Sequence, residues 1–136
     1  MDENKDAWSL FLNKQFELAL PKFKIITESK KDGLIWNAIS VCQYELYHYQ
    51  DALISINKAI ELHKDNFLLS NKAATLTELG IQRKDKSILN QAIKIYKELL
   101  LSGENNAELH YNFANALNGL DNFDEAIEQF IETLRI

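Results

Sequence analysis

The chain has 136 residues, 46% of them hydrophobic, and a net charge of −5. That is enough apolar material for one ordinary folded domain, and the wrong sign for a nucleic-acid backbone, which needs clustered Lys and Arg. No apolar run approaches the ~18 residues of a membrane span, and the opening MDENKDAW lacks the basic-then-apolar layout of a signal peptide. The one cysteine, Cys42, excludes an internal disulfide and suits a reducing compartment, so a cytoplasmic location is expected. One Pro and four Gly leave α-helix favoured throughout.

In chain order, Asp2, Glu3 and Asp6 place negative charge in a first helical turn, where the helix dipole favours it. Ala7, Trp8, Leu10 and Phe11 follow, then a turn around Asn13–Gln15 and a second helix from near Phe16. Pro21 falls at or just past that helix's first turn, where its missing N–H costs little. Lys30-Lys31-Asp32-Gly33 punctuates the chain, with Gly33 suited to a C-terminal cap. Trp36–Leu46 and Tyr49–His63 read as the next two helices, and His63 and Lys64 complement the second one's C-terminus. A further helix runs from near Phe67 to at least Gly80. The basic stretch IQRKDKS, about Ile81–Ser87, is expected to form a solvated loop or to extend that helix by two turns. Its functional reading is a contact for an acidic partner. Helices from about Ile88 to Leu101 and through the remainder complete the chain, with Ser102–Asn106 as the break between them.

Self-comparison reveals a repeat. The pattern aromatic or large apolar, two residues, Ala, three residues, aromatic or large apolar occurs at Phe16–Ala19–Phe23, Tyr49–Ala52–Ile56, Leu89–Ala92–Tyr96 and Phe123–Ala126–Phe130. The alanines are 33, 40 and 34 residues apart. Paired helices approach closely only where a side chain is small, so these alanines, with Ala7, Ser40, Ala73 and Ala114 on the first helices, are expected to be close-packing sites. One hairpin cannot bury its own apolar stripe, and stacked neighbours supply the cover.

The stretch YNFANALNGLDNFDEAI, with its counterparts upstream, resembles the tetratricopeptide repeat. The resemblance spans the whole chain as four repeats in one domain, 1–136, at about 2–32, 33–65, 66–105 with the insertion near 81–87, and 106–136. It departs from the family in lacking the closing Pro, in the insertion, and in Lys72 standing where a Leu is usual. It implies an all-α fold, an α-solenoid of antiparallel helix-turn-helix units wound as a right-handed superhelix. It also implies a concave groove lined by the first helix of each unit. Carried over by position, the groove residues are Trp8, Phe11 and Leu12; Leu34, Asn37, Val41, Tyr44 and Glu45; Phe67, Ser70, Asn71, Ala74, Thr77 and Glu78; and Glu108, Tyr111, Asn115 and Asn118. Trp8, Phe11, Tyr44 and Tyr111 are the favoured contacts, because interface aromatics contribute large area, whereas Ser70 and Thr77 read as solvating the inner face. The family subtype that grips a C-terminal carboxylate is rejected. Asn71 and Asn112 stand at suitable positions, but the matching Lys and Arg are missing, and Glu45, Glu78 and Glu108 would repel a carboxylate.

No chemistry is legible. Cys42 and His48 share no helical face, the three histidines lie in different units, and no phosphate loop, G-x-S-x-G or C-x-x-C occurs. His110, at the family's Trp position, reads as a packing residue. The expectation is therefore a non-catalytic scaffold that binds a protein or peptide segment, with no cofactor, no metal, no nucleic acid and no membrane insertion. The alternatives are a self-assembling structural module and a small chaperone of secreted or assembling proteins. A second surface supports self-assembly. The residue after the recurring aromatic or large apolar position is Lys24, Asn57 and Lys97 in three units but Ile131 in the last. With Ile127 and Leu134 it makes an i, i+4, i+7 apolar stripe that no later helix covers, and a homo-oligomer through this C-terminal helix is expected.

Overall fold

Capping and alanine spacing together dictate where the helices begin and how they pair. The computed structural model describes residues 3–136, and Asp2, expected in the first helical turn, lies outside them. Among the described residues there are eight helices and no strand: α1 Glu3–Leu12, α2 Phe16–Thr27, α3 Gly33–Glu45, α4 Tyr49–Leu62, α5 Asn66–Arg83, α6 Lys86–Leu101, α7 Ala107–Gly119 and α8 Phe123–Arg135. Three first helices share one start signal. Asp32, Asp65 and Asn106 each accept, through the side chain, a backbone N–H of the first turn: Leu34 at 2.9 Å, Leu68 at 2.8 Å and Leu109 at 2.9 Å. These are N-caps, which satisfy donors the helix itself leaves open.

The caps correct two expectations. Gly33 does not close α2, whose cap is Glu28 in a right-handed conformation. It is the first residue of α3, and a Cβ there would lie 3.1 Å from the Ala59 carbonyl oxygen and 3.2 Å from His63 Cβ, so glycine permits a close approach. The Ile81–Ser87 stretch is neither a solvated loop nor a two-turn extension of one helix. From cap to turn, Asp32 to Tyr47 and Asn106 to Asp121 are 15 residues apart, but Asp65 to Lys84 are 19. From turn to alanine, Tyr47 to Ala52 and Asp121 to Ala126 are 5 residues, but Lys84 to Ala92 are 8. The insertion is therefore shared, four residues to α5 and three to α6, close to one helical turn each.

All four hairpin turns use the same device. Lys14, Tyr47, Lys84 and Asp121 sit at φ 60°, 65°, 52° and 62°, the left-handed region. The next residue's N–H reaches back to the helix: Gln15 to Leu10 at 2.9 Å, His48 to Gln43 at 2.8 Å, Asp85 to Gly80 at 2.9 Å and Asn122 to Leu117 at 2.9 Å. With the companion bond from the left-handed residue itself, each is a Schellman motif that satisfies helix-terminal carbonyls. None uses glycine.

The chain forms two compact units, Met1–Leu68 and Leu69–Ile136. In the first, Ala7, Ala19, Phe23, Ile26, Ala38, Ile39 and Cys42 are the buried centre of α1, α2 and α3, with Trp8, Phe11 and Phe16 packed around them. Ile56, Ala59 and Leu68 form a second cluster with Trp36, Leu53 and Ile60. Pro21 is the sixth residue of α2, which runs on past it. In the second unit, Tyr96 stacks on Phe113 with ring centres 5.5 Å apart, and Leu89, Leu99, Leu109 and Leu117 are buried. All eight small residues expected at close-packing sites are buried, Ser40 the most exposed of them at 3%.

Candidate functional site

The candidate groove residues are placed by the first helix of each hairpin, two in each unit. In the first unit, Trp8 and Phe11 are half-buried within an edge-to-face cluster. Trp8 meets Phe23 at 5.0 Å and Phe11 at 5.4 Å, and Phe11 meets Phe16 at 5.8 Å. Such pairs are favourable beyond their buried area, so these rings hold the hairpin and remain only partly exposed. Leu12 and Leu34 are exposed, while Asn37 is buried and Val41 half-buried. Tyr44 is half-buried and stands edge-on to Tyr49 at 5.4 Å, with exposed Glu45 beside it. Phe67 is 62% exposed at the start of α5.

In the second unit, Asn71, Ala74 and Glu78 on α5 are partly exposed. Burial pushes the Glu78 carboxyl above its ordinary range, because water no longer fully solvates the charged form. Thr77 corrects its expectation. It does not solvate an inner face: it is 2% exposed, donates to the Ala73 carbonyl at 2.9 Å and shares a 2.8 Å hydrogen bond with the Tyr96 hydroxyl. On α7, Glu108, Tyr111, Asn115 and Asn118 lie at i, i+3, i+7 and i+10, one face of the helix. Asn115 is partly exposed and the other three are exposed. The Tyr111 ring is braced edge-on by Phe130 of α8 at 5.9 Å, so an aromatic surface is held out in a fixed orientation.

Sequence reading missed a set of buried polar ties. Ser55 donates to Gln43 at 2.6 Å between α4 and α3, Thr77 meets Tyr96 between α5 and α6, and His110 Nδ1 meets Gln129 Oε1 at 2.6 Å between α7 and α8. His110 also reaches Asn105 Oδ1 at 2.6 Å through Nε2. It is a packing residue as expected, with a polar function added. No pattern announces these pairs, since the partners lie 12 to 19 residues apart at different levels of each hairpin.

Other features have little chemistry to offer. Cys42 is fully buried, and burial pushes its thiol up to about 12, far from a reactive thiolate. Among the described residues no group of three His, Cys, Asp or Glu is placed to hold a metal ion, and no helix is long and apolar enough to cross a membrane. A cleft of about 360 Å³ opens in the second unit beside Gly80, Lys84, Lys86, Leu89 and Asp121. Another, of about 340 Å³, lies in the first unit beside Lys14, Phe16, Leu18 and Leu46.

The fold is similar to that of MamA. The MamA structure titled 41-end from Desulfovibrio magneticus RS-1 matches with a TM-score of 0.80 at 17% identity, covering 98% of this chain and 72% of that one. A MamA RS-1 double mutant gives 0.79 at 17% identity, covering 98% and 72%. MamA MSR-1 gives 0.75 at 14% identity, covering 95% and 71%. MamA is a helical solenoid of the tetratricopeptide type, so the all-α solenoid class expected from the repeat is the class found. At these identities the likeness to MamA is one of fold. No protein-family model matches the chain, and no curated protein does.

Proposed function

We propose that the chain is a non-catalytic protein-interaction scaffold that holds an extended or helical segment of a partner against the first helices of its hairpins. We read the four hairpins as four repeats of one array, at about 2–32, 33–65, 66–105 and 106–136, working in the cytoplasm. The observation that carries this reading is the α7 face. Tyr111 is 51% exposed yet buttressed by Phe130, and it is flanked by Glu108 and two asparagines. A rigid aromatic with polar neighbours contributes contact area at small entropic cost, which is the usual composition of an interface anchor. Glu108 favours neutral or basic segments. Glu78 adds to this, because a cation beside its partly desolvated carboxyl would restore what burial removes.

The test is a pull-down with the purified chain, identification of the retained protein, and calorimetric titration of that protein. Tyr44→Ala with Tyr111→Ala is expected to weaken binding at least about tenfold, with unchanged helicity by circular dichroism. Unchanged affinity in the double variant would place the binding site elsewhere and overturn the groove reading.

A further inference from the structure

Two helices expose apolar stripes of matching geometry and opposite charge. On α8, Ile127, Ile131 and Leu134 are 56%, 44% and 87% exposed. Read from the C-terminal end, α2 carries Ile25, Pro21 and Leu18, of which Ile25 and Leu18 are 53% and 56% exposed and Pro21 is exposed as well. The steps are four then three residues along α8, and four then three backwards along α2. Laid antiparallel, the two stripes bring Ile127 against Ile25, Ile131 against Pro21 and Leu134 against Leu18. The electrostatics select the same orientation. Residues 121–136 carry Asp121, Asp124, Glu125, Glu128 and Glu132 against Arg135 alone, whereas residues 14–31 carry five lysines against Glu17 and Glu28. Antiparallel pairing sets Glu128 beside Lys24, Asp121 beside Lys31 and Arg135 beside Glu17, against one like-charged pair, Asp124 with Glu28. The cleft next to Leu18, about 340 Å³, gives the end of α8 somewhere to seat.

We propose that the chain associates with a second copy of itself head to tail, α8 of one copy lying antiparallel on the outer face of α2 of the next. The pairing of α8 with α8 is disfavoured, since it would bring two strongly acidic helices together, and like charges across an interface are costly. The contact is heterologous: each copy offers two different surfaces, and neither needs the groove. This is a separate claim from groove binding and survives or fails independently of it.

Two variants decide the matter, one with Ile131→Lys and Leu134→Lys, the other with Leu18→Lys and Ile25→Lys. All four sites are exposed, so both chains should fold, which circular dichroism verifies. Sedimentation equilibrium of the wild type is expected to show mass rising with concentration through the micromolar range, and less so at high salt, which screens charge pairs. Each variant alone is expected to stay monomeric. Mixed together they should form one-to-one pairs and nothing larger, because each retains the surface the other lacks. A milder variant, Lys24→Glu, should weaken association at least about threefold and regain it with Glu128→Lys on the mixing partner. A wild type that stays monomeric overturns the proposal. So does an α2 variant that self-associates as well as wild type, which would point to pairing of α8 with α8, and so does a mixture that shows no pairs.

Discussion

At the scale of single residues, the four hairpin turns are the least expected feature. Lys14, Tyr47, Lys84 and Asp121 all adopt left-handed backbone, which costs an L-residue roughly 1–2 kcal/mol. Glycine would avoid that cost but loses roughly 0.5–1 kcal/mol through its freedom in the unfolded chain. The difference favours glycine modestly. Lys14→Gly and Lys84→Gly are each expected to stabilise by up to about 1 kcal/mol. Lys84→Val, β-branched and ill-suited to positive φ, should destabilise by about 1–2 kcal/mol. Urea unfolding of the three variants measures both, and a glycine variant less stable than wild type would mean that these turns are not strained. The turns at Lys14 and Tyr47 fall at breaks the sequence already marked, but their left-handed conformation was not legible. A Schellman turn is normally announced by glycine, and here the announcing residue is Lys, Tyr or Asp. The Asx caps were equally quiet: Asp32 and Asp65 look like ordinary loop acids until their carboxylates are seen accepting from Leu34 and Leu68.

At the scale of helices, the periodic alanines made the pairing legible without a structure, because close approach of two helices demands small side chains at fixed spacing. Ala52 and Ala126 are 0% and 2% exposed. Ala52→Leu is expected to cost about 1–3 kcal/mol by overpacking, against nearly nothing for Glu125→Leu on the exposed face of α8. Equal effects of the two in chemical denaturation would contradict the packing described. The candidate groove was harder to read, for a reason of angle. Consecutive helical residues are separated by 100°, so Thr77 is in the core while Glu78 is partly exposed, and a pattern carried over by position does not resolve that difference. The outer stripe of α2 stayed hidden for another reason. FELALPKFKII is apolar on two faces, and the face holding Ala19, Phe23 and Ile26 accounts for the helix as a core element, leaving Leu18 and Ile25 without comment.

At the scale of the whole molecule, the shared insertion has a consequence for how such a chain tolerates change in length. Relative to the other hairpins, α5 is longer by four residues between cap and turn and α6 by three between turn and alanine, each within about 60° of a full turn. The reversed turn at Lys84 was carried outward by about 6 Å, at 1.5 Å per residue, with its bonds from Lys84 to Ile81 and Asp85 to Gly80 intact. The editable quantity in this fold is thus a matched pair of segments, one on each side of a turn. Deleting about one turn from α5 together with one from α6 should leave a helical, cooperatively unfolding protein. Deleting the same number of residues from α5 alone should lose cooperativity, since it shortens one side and strands Thr77 away from Tyr96. Thermal melts of the two deletions would separate them, and equal melts would show that the two sides are not coupled. By this arithmetic, one hairpin can be longer than another by about seven residues without the loop between its helices growing.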